Sequence, residues 1–375
     1  MRVRALSCLA AMVVALRLAA PAGQAVAHGR ASGLECDGTW QLQRNPDTPS
    51  DFSGLIDVSG TAPADVWAVG NDFSTQRALV EHWDGTRWML VPTPPVGDSP
   101  ILRGVSALSA TDVWAVGDKA VGTAVKPVTE HWNGRRWTSI RTPNFGPSSS
   151  LTGVEGLSSN DVWAVGGYRD QNDQAHNFIL HWDGTRWSDV PIPDVLGLVA
   201  IDGNSATDVW AVGSTGAETL IMHWDGQDWT IVPSPNPGNL NNSFTSVAAI
   251  SLTDAWAVGW WGNFGGETET LIEHWGGANW TVAPSPAPGT FAQLLDISAI
   301  STSSVWAVGL QGSGAFASTL TERWDGTAWS VVPSPNLGTR TNVLQGVWTA
   351  SATEAFAVGY MDVVYRGRPL TERYC

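Results

Sequence analysis

The sequence predicts an all-β protein: a seven-bladed β-propeller of four-stranded antiparallel blades, on three observations. The first is a repeat. DVWAVG stands at 65–70, 112–117, 161–166 and 208–213, followed by DAWAVG at 254–259, SVWAVG at 304–309 and EAFAVG at 354–359. Its aromatic positions Trp67, Trp114, Trp163, Trp210, Trp256, Trp306 and Phe356 are spaced by 47, 49, 47, 46, 50 and 50 residues, the size of one supersecondary unit. The second is the content of each unit, which reads as four short strands with no sustained 3.6-residue apolar period. The third is the placement of tryptophan. Nineteen of the 22 fall in three repeat columns: six in VWAVG, six after the His or Arg of the third strand, seven in the strand after the DG turn. A lone sheet with Trp on both faces would leave large apolar areas wet, whereas packing blade against blade in a ring buries both.

Each unit runs in the same order. LRGVSALS (102–109) typifies the first strand, apolar residues alternating with small ones. A polar turn leads into VWAVG, too short and too Gly-limited for a helix. A loop of variable length precedes a third strand such as TLIEHW (270–275). Asp-Gly then supplies the positive φ of a tight reversal. The fourth strand, as in WTIVPSP (229–235), ends in prolines that cannot continue a ladder.

The two ends carry the exceptions. MRVR followed by ALSCLAAMVVAL and Ala25-Val26-Ala27 fits a secretory signal over residues 1–27. The apolar run is short for a spanning helix and is interrupted by Arg17, and Cys8 sits too early for a lipoprotein anchor. A secreted chain of 28–375, a single propeller and a monomer, is expected. CDGTWQLQRNP (36–46) is half a repeat with nothing complete before it, and the last unit stops at TERYC without a fourth strand. The fragment is read as that missing strand, 36–46 completing the blade formed by 344–375. Cys36 and Cys375, the only cysteines left after signal removal, then meet at its DG turn and are expected to form a disulfide.

Charge narrows the partners. The net charge of −15 becomes about −18 when Arg2, Arg4 and Arg17 leave with the signal. An acidic chain with no Lys/Arg cluster is a poor ligand for nucleic acid or an anionic membrane surface. VWAVG–loop–HWDGTxW resembles the Trp-rich propeller repeats of the tectonin type and, more loosely, exported kelch and Asp-box propellers. The resemblance spans the mature chain and implies carbohydrate recognition. It departs from kelch in that the second strand ends in a Gly-Gly doublet only at Gly166-Gly167, and from Asp-box repeats in the adjacency of Asp and Gly. No Gly-His partner of a WD40 unit recurs.

Candidate chemistry is sparse. His82, His131, His181, His223 and His274 recur at one position, so they lie at five places around a ring and cannot converge on a metal. Asp65, Asp112, Asp161, Asp208, Asp254 and Glu354, with Ser304 in the remaining blade, read as turn-shaping residues by the same symmetry. RDQNDQ (169–174) lacks the spacing of a calcium loop. No HExxH, GxSxG with triad partners, CxxC or phosphate-cradling loop occurs. No catalytic residue, metal or cofactor is expected.

What breaks the repeat is more informative. Second-to-third-strand loops and blade-to-blade connectors emerge on one face. The loops range from STGAET (214–219) to GGYRDQNDQAHN (166–177) and gather the off-pattern aromatics Tyr168, Trp260, Trp261, Phe264, Phe316, Tyr360 and Tyr365. Extra rings on one face suit a binding surface, so these seven are the candidate ligand-binding residues. The expected function is a secreted, non-catalytic binding propeller for carbohydrate or a cell-surface partner. The rivals are a glycan-active enzyme, hydrolase or galactose-oxidase-like, at the central cavity, and a scaffold whose acidic surface serves solubility.

Overall fold

Among the described residues the chain forms seven four-stranded antiparallel units. The computed structural model describes residues 36–46, 52–72, 75, 77–286, 291–312, 316–337, 340–362 and 367–375, and the signal expected over residues 1–27 lies outside them. Blade 1 comprises Ser53–Ala62, Asp65–Asp72, Arg77–Trp83 and Trp88–Leu90, paired in that order. Blades 2 to 6 repeat it over 98–140, 148–190, 198–231, 241–282 and 291–331. Blade 7 takes three strands from 342–374 and its outer strand, Trp40–Leu42, from the other end of the described chain, with Trp40 opposite Tyr374. Blades 5 and 6 count as one eight-stranded sheet, because Thr268 and Phe291 form a single parallel pair between them.

Two glycine columns are required by geometry. The last residue of each VWAVG crosses a carbonyl of the first strand so closely that an added Cβ on Gly70 would sit 2.0 Å from the Gly54 oxygen. The other six meet the same clash. The turn glycines, such as Gly85 at φ 91° and Gly326 at 96°, occupy the left-handed region. Ahead of each except Gly277, which follows Gly276, stands an Asp or Asn that caps the turn: Asp84 Oδ1 accepts the amides of Thr86 at 2.8 Å and Arg87 at 2.9 Å. Those bonds, led by the Thr86 hydroxyl, hold the Asp84 carboxyl down at about 2.

The core lies in the seams. Seven buried clusters occur, each shared by consecutive blades, and one of them joins Phe356 and Val358 of blade 7 to Leu55, Val66 and Trp88 of blade 1. Every second-strand aromatic is clamped by two rings of the following blade. Trp67 stands 5.0 Å from Trp132 and 5.5 Å from Trp137, and Trp306 stands 5.1 Å from Trp40 and 4.6 Å from Tyr374. Edge-to-face contacts of this kind add to the area term of burying an indole.

The recurrent histidines are structural. His82 Nε2 lies 2.7 Å from Asp65 Oδ1 while the imidazole stacks on Trp67 at 4.2 Å; four more blades repeat this. Blade 7 substitutes Glu354 and Arg373, 2.7 Å apart. Blade 6 has Ser304, which offers no carboxylate, and its Arg323 turns to the next blade. There it donates to the Ala352 carbonyl at 2.9 Å and the Tyr374 hydroxyl at 3.3 Å. One broken repeat thus becomes a brace for the composite blade.

The composite blade keeps the common register. Trp40 faces Tyr374 as Trp88 faces Trp83, and Gly38 donates to the Cys375 carbonyl at 2.7 Å. Cys36 and Cys375 are joined by a disulfide that spans a sequence separation of 339.

Candidate functional site

Two features offer a ligand something to hold: the central channel and the face that carries the variable loops. First strands line the channel because each is the inner edge of its sheet. A bulge recurs in all seven, between Leu55 and Asp57 in blade 1 and at the matching position elsewhere. Bulges re-aim side chains. The bulged residues Ile56, Arg103, Thr152, Val199, Thr245, Leu295 and Gln345 line the cavity, which measures about 470 Å³.

Deeper in the channel sit Asp57, Glu155, Asp202 and Asp296. Burial pushes all four carboxyls up, Asp57 to about 8, Asp202 to about 7 and Asp296 to about 6, with the Asp296 charge adding to the rise at Asp57. Such values in a cavity would ordinarily flag acid–base chemistry. Their bonding gives another account. An inner-edge strand presents unpaired amides, and side chains of the preceding blade cover them. Asp57 Oδ2 accepts the Val105 amide, Asp202 Oδ2 that of Ala249 and Asp296 Oδ2 that of Val347, each at 2.7 Å. Ser59, Ser106 and Ser298 do the same for Ala107, Gly156 and Thr349. Glu155 receives the Ser106 hydroxyl at 3.3 Å. The acids therefore staple blade to blade. Asp57→Ala orphans the amides of Val58 and Val105. It is expected to lower stability by roughly 1–3 kcal/mol, read as a fall in the urea midpoint with an unchanged m-value. Among the described residues no group of three or more His, Cys, Asp or Glu could hold a metal ion.

The variable face is where apolar surface is exposed. Of fifteen exposed large apolar residues among those described, ten lie in its loops and connectors or at the channel mouth. The candidate aromatics divide. Phe264 is 78% exposed, Phe316 53% and Tyr360 36%. Tyr360 packs over Gly54 of blade 1, whose added Cβ would meet it at 3.3 Å. Tyr168, Trp260 and Trp261 are half-buried. Tyr168 stacks on His176 at 4.9 Å and lies 5.5 Å from Phe145, and Trp261 packs on the core between blades 4 and 5. Tyr365 lies outside the described residues. The six described candidates belong to blades 3, 5, 6 and 7, and none lines the central cavity. Sequence reasoning missed Phe52, Leu240 and Leu337, exposed in the connectors, and Phe291, exposed at the first residue of blade 6. The available signal was an apolar residue interrupting a Pro/Ser/Asn/Gly-rich segment.

Comparison with known proteins recognises the architecture and nothing finer. No family model matches the chain. No curated protein matches it either. Among solved structures, "YCF48 bound to D1 peptide" aligns at TM-score 0.57 and 15% identity, over 91% of this chain and 98% of that one. "Structure of U3-55K" aligns at 0.60 and 10%, over 90% and 99%, and "Crystal structure of RRP9 WD40 repeats" at 0.59 and 10%, over 90% and 98%. The chain shares a propeller fold with them. At such identities the likeness is one of fold, and WD40-type propellers stand among the neighbours although the sequence lacks their Gly-His signature.

Proposed function

We propose that this chain is an exported, non-catalytic propeller that binds carbohydrate or a cell-surface partner through its variable-loop face. One observation carries the reading: exposed rings and aliphatic side chains concentrate on that face, while the opposite face is built from short turns that repeat from blade to blade. Extra apolar area on an otherwise acidic molecule has no role in the seams, which are already filled, and suits recognition. The enzyme reading weakens because the channel acids are engaged with backbone amides across the seams. Export is supported by the disulfide, which persists in oxidising compartments. The ring is proposed to close through the composite blade, and kinship with tectonin-type repeats belongs to this reading.

Screening the mature protein on a glycan array and against extracellular surface extracts tests the proposal. A ligand is expected whose binding weakens in Phe264→Ala, or in Trp260→Ala/Trp261→Ala, without a change in melting temperature for the exposed Phe264. Sugar release lost on changing one channel carboxylate would favour the enzyme. Binding indifferent to every loop substitution would sink the reading.

A further inference from the structure

We propose that the variable face is divided, and that its sector over blades 5 and 6, with Tyr360 of blade 7 at its edge, is a docking track for an uncharged polysaccharide. This rests on the binding reading above and names its ligand class.

The division is one of charge. Around blades 5 and 6, the segments 232–243, 260–269, 283–291, 310–318 and 332–341 contain three charged residues, Glu267, Glu269 and Arg340, and Arg340 lies 3.8 Å from Asp362; charge returns in the blade 7 segment 360–369 with Asp362, Arg366 and Arg368. The corresponding segments of blades 2 to 4 contain ten, among them Lys119, Lys126, Arg169 and Asp170. A mature chain of about −18 has thus kept one arc of its surface almost free of charge. Apolar exposure is distributed the opposite way. The loops of blades 5 and 6 each present one exposed ring, Phe264 and Phe316, and the outer end of the second strand of blade 7 presents Tyr360. Phe291, at the first residue of blade 6, and Leu337, in a connector, add to them. Over blades 2 to 4 the exposed apolar residues are Val121, Leu196 and Val199, with no ring.

The complement of this arc is a partner without charge. An acidic or basic polymer would find no counter-ions there and would lose hydration without compensation. A protein partner is served by a contiguous, desolvated centre with a few dominant anchors. The arc instead sets single rings one blade apart, with Asn, Ser, Thr and Gly between them. Flat rings at intervals, separated by neutral hydrogen-bonding groups, match a chain of repeating sugars. The C–H faces of such sugars stack on aromatics while their hydroxyls need uncharged partners.

Affinity electrophoresis of the disulfide-bonded mature chain tests this. The gels contain either a neutral polymer (hydroxyethyl cellulose, soluble starch, xyloglucan or glucomannan) or an anionic one (alginate or chondroitin sulfate). Retardation by at least one neutral polymer is expected, equal at low and high salt. Phe264→Ala and Phe316→Ala should each weaken it about tenfold, and Lys119→Ala and Arg169→Ala should leave it unchanged. Salt-sensitive retention by the anionic polymers alone, lost in the Lys119 or Arg169 variants, would overturn the track while leaving the variable face as the binding surface. Capture of a protein ligand through Phe264 and Phe316 with no neutral polymer bound would do the same. Retention by a neutral polymer that none of the four substitutions alters would overturn both readings. No retention by any polymer would overturn the track.

Discussion

Replacing Cys36 and Cys375 with serine is expected to lower the melting temperature by up to about 8 °C. The bond spans a sequence separation of 339. Chain-entropy arguments set its contribution at up to about 5–6 kcal/mol for a loop of that length. Dividing by an unfolding entropy of about 2.1 cal/mol/K per residue gives the temperature shift. The effect should also be local. Trp40–Leu42 is held by one neighbouring strand, the clamp on Trp306 and the Arg323 brace on Tyr374. Without the bond it becomes the strand that detaches first. Hydrogen exchange of the Trp40–Leu42 amides should rise far more than that of the other six outer strands. Uniform exchange across all seven blades in the serine variant would contradict this account.

Stability is expected to fall as pH rises from about 5 to about 8.5. Third strands place Glu81, Glu130, Glu273, Glu322 and Glu372 in the seams with no exposed surface. Burial pushes their carboxyls up to about 8, 7, 8, 7 and 8. Few groups oppose the shift. The Asn45 amide donates to Glu81, the Ser285 hydroxyl to Glu322, and the Lys119 charge draws Glu130 back. A carboxyl raised above its unfolded value near 4.5 holds a proton in the folded state that the unfolded chain releases. The stabilisation it contributes is complete below about pH 4.5 and is lost as pH climbs through 7 to 8. If each glutamate realises a single pH unit, at about 1.4 kcal/mol, the five together amount to roughly 7 kcal/mol. Over the described residues that is about 10 °C. Differential scanning calorimetry from pH 5 to 8.5 reads it directly. Glu273→Gln, neutral at every pH, should flatten part of the slope and melt higher than the parent at pH 8.5. A melting temperature that holds steady or rises over this range would refute the assignment.

How much was legible beforehand follows from what repetition can encode. The VWAVG columns announced strands, blade number and seam packing, because every unit states the same geometry and errors average out. The histidines were legible as structural for that reason, and the Asp–His pairs bear it out. Residues that differ between blades were harder. Asp57, Asp202 and Asp296 stand in two different columns of the first strand, and only the bulge and the staggered seam show that each reaches an amide of the next blade. The buried glutamates were invisible as a set, since a Glu before His or Arg in a strand reads equally well as solvated. Among the loop aromatics, sequence could not separate Phe264, which stands in solvent, from Tyr168, which lies against His176 and Phe145. That distinction depends on which way a loop folds over its connector.

The bond between Cys36 and Cys375 makes the backbone from one to the other a covalent circle. A protease that cuts a linear propeller once yields two pieces, and the smaller can diffuse away. The same cut here, in any loop between residues 36 and 375, opens the circle into a single strand whose halves stay tethered. The blades on either side of the break remain beside the partners they were packed against, at the effective concentration of one molecule. Two cuts are needed before anything is lost. Wherever a protease reaches this chain, the loops of the variable face can be long and diverse at little risk to the blades that carry them.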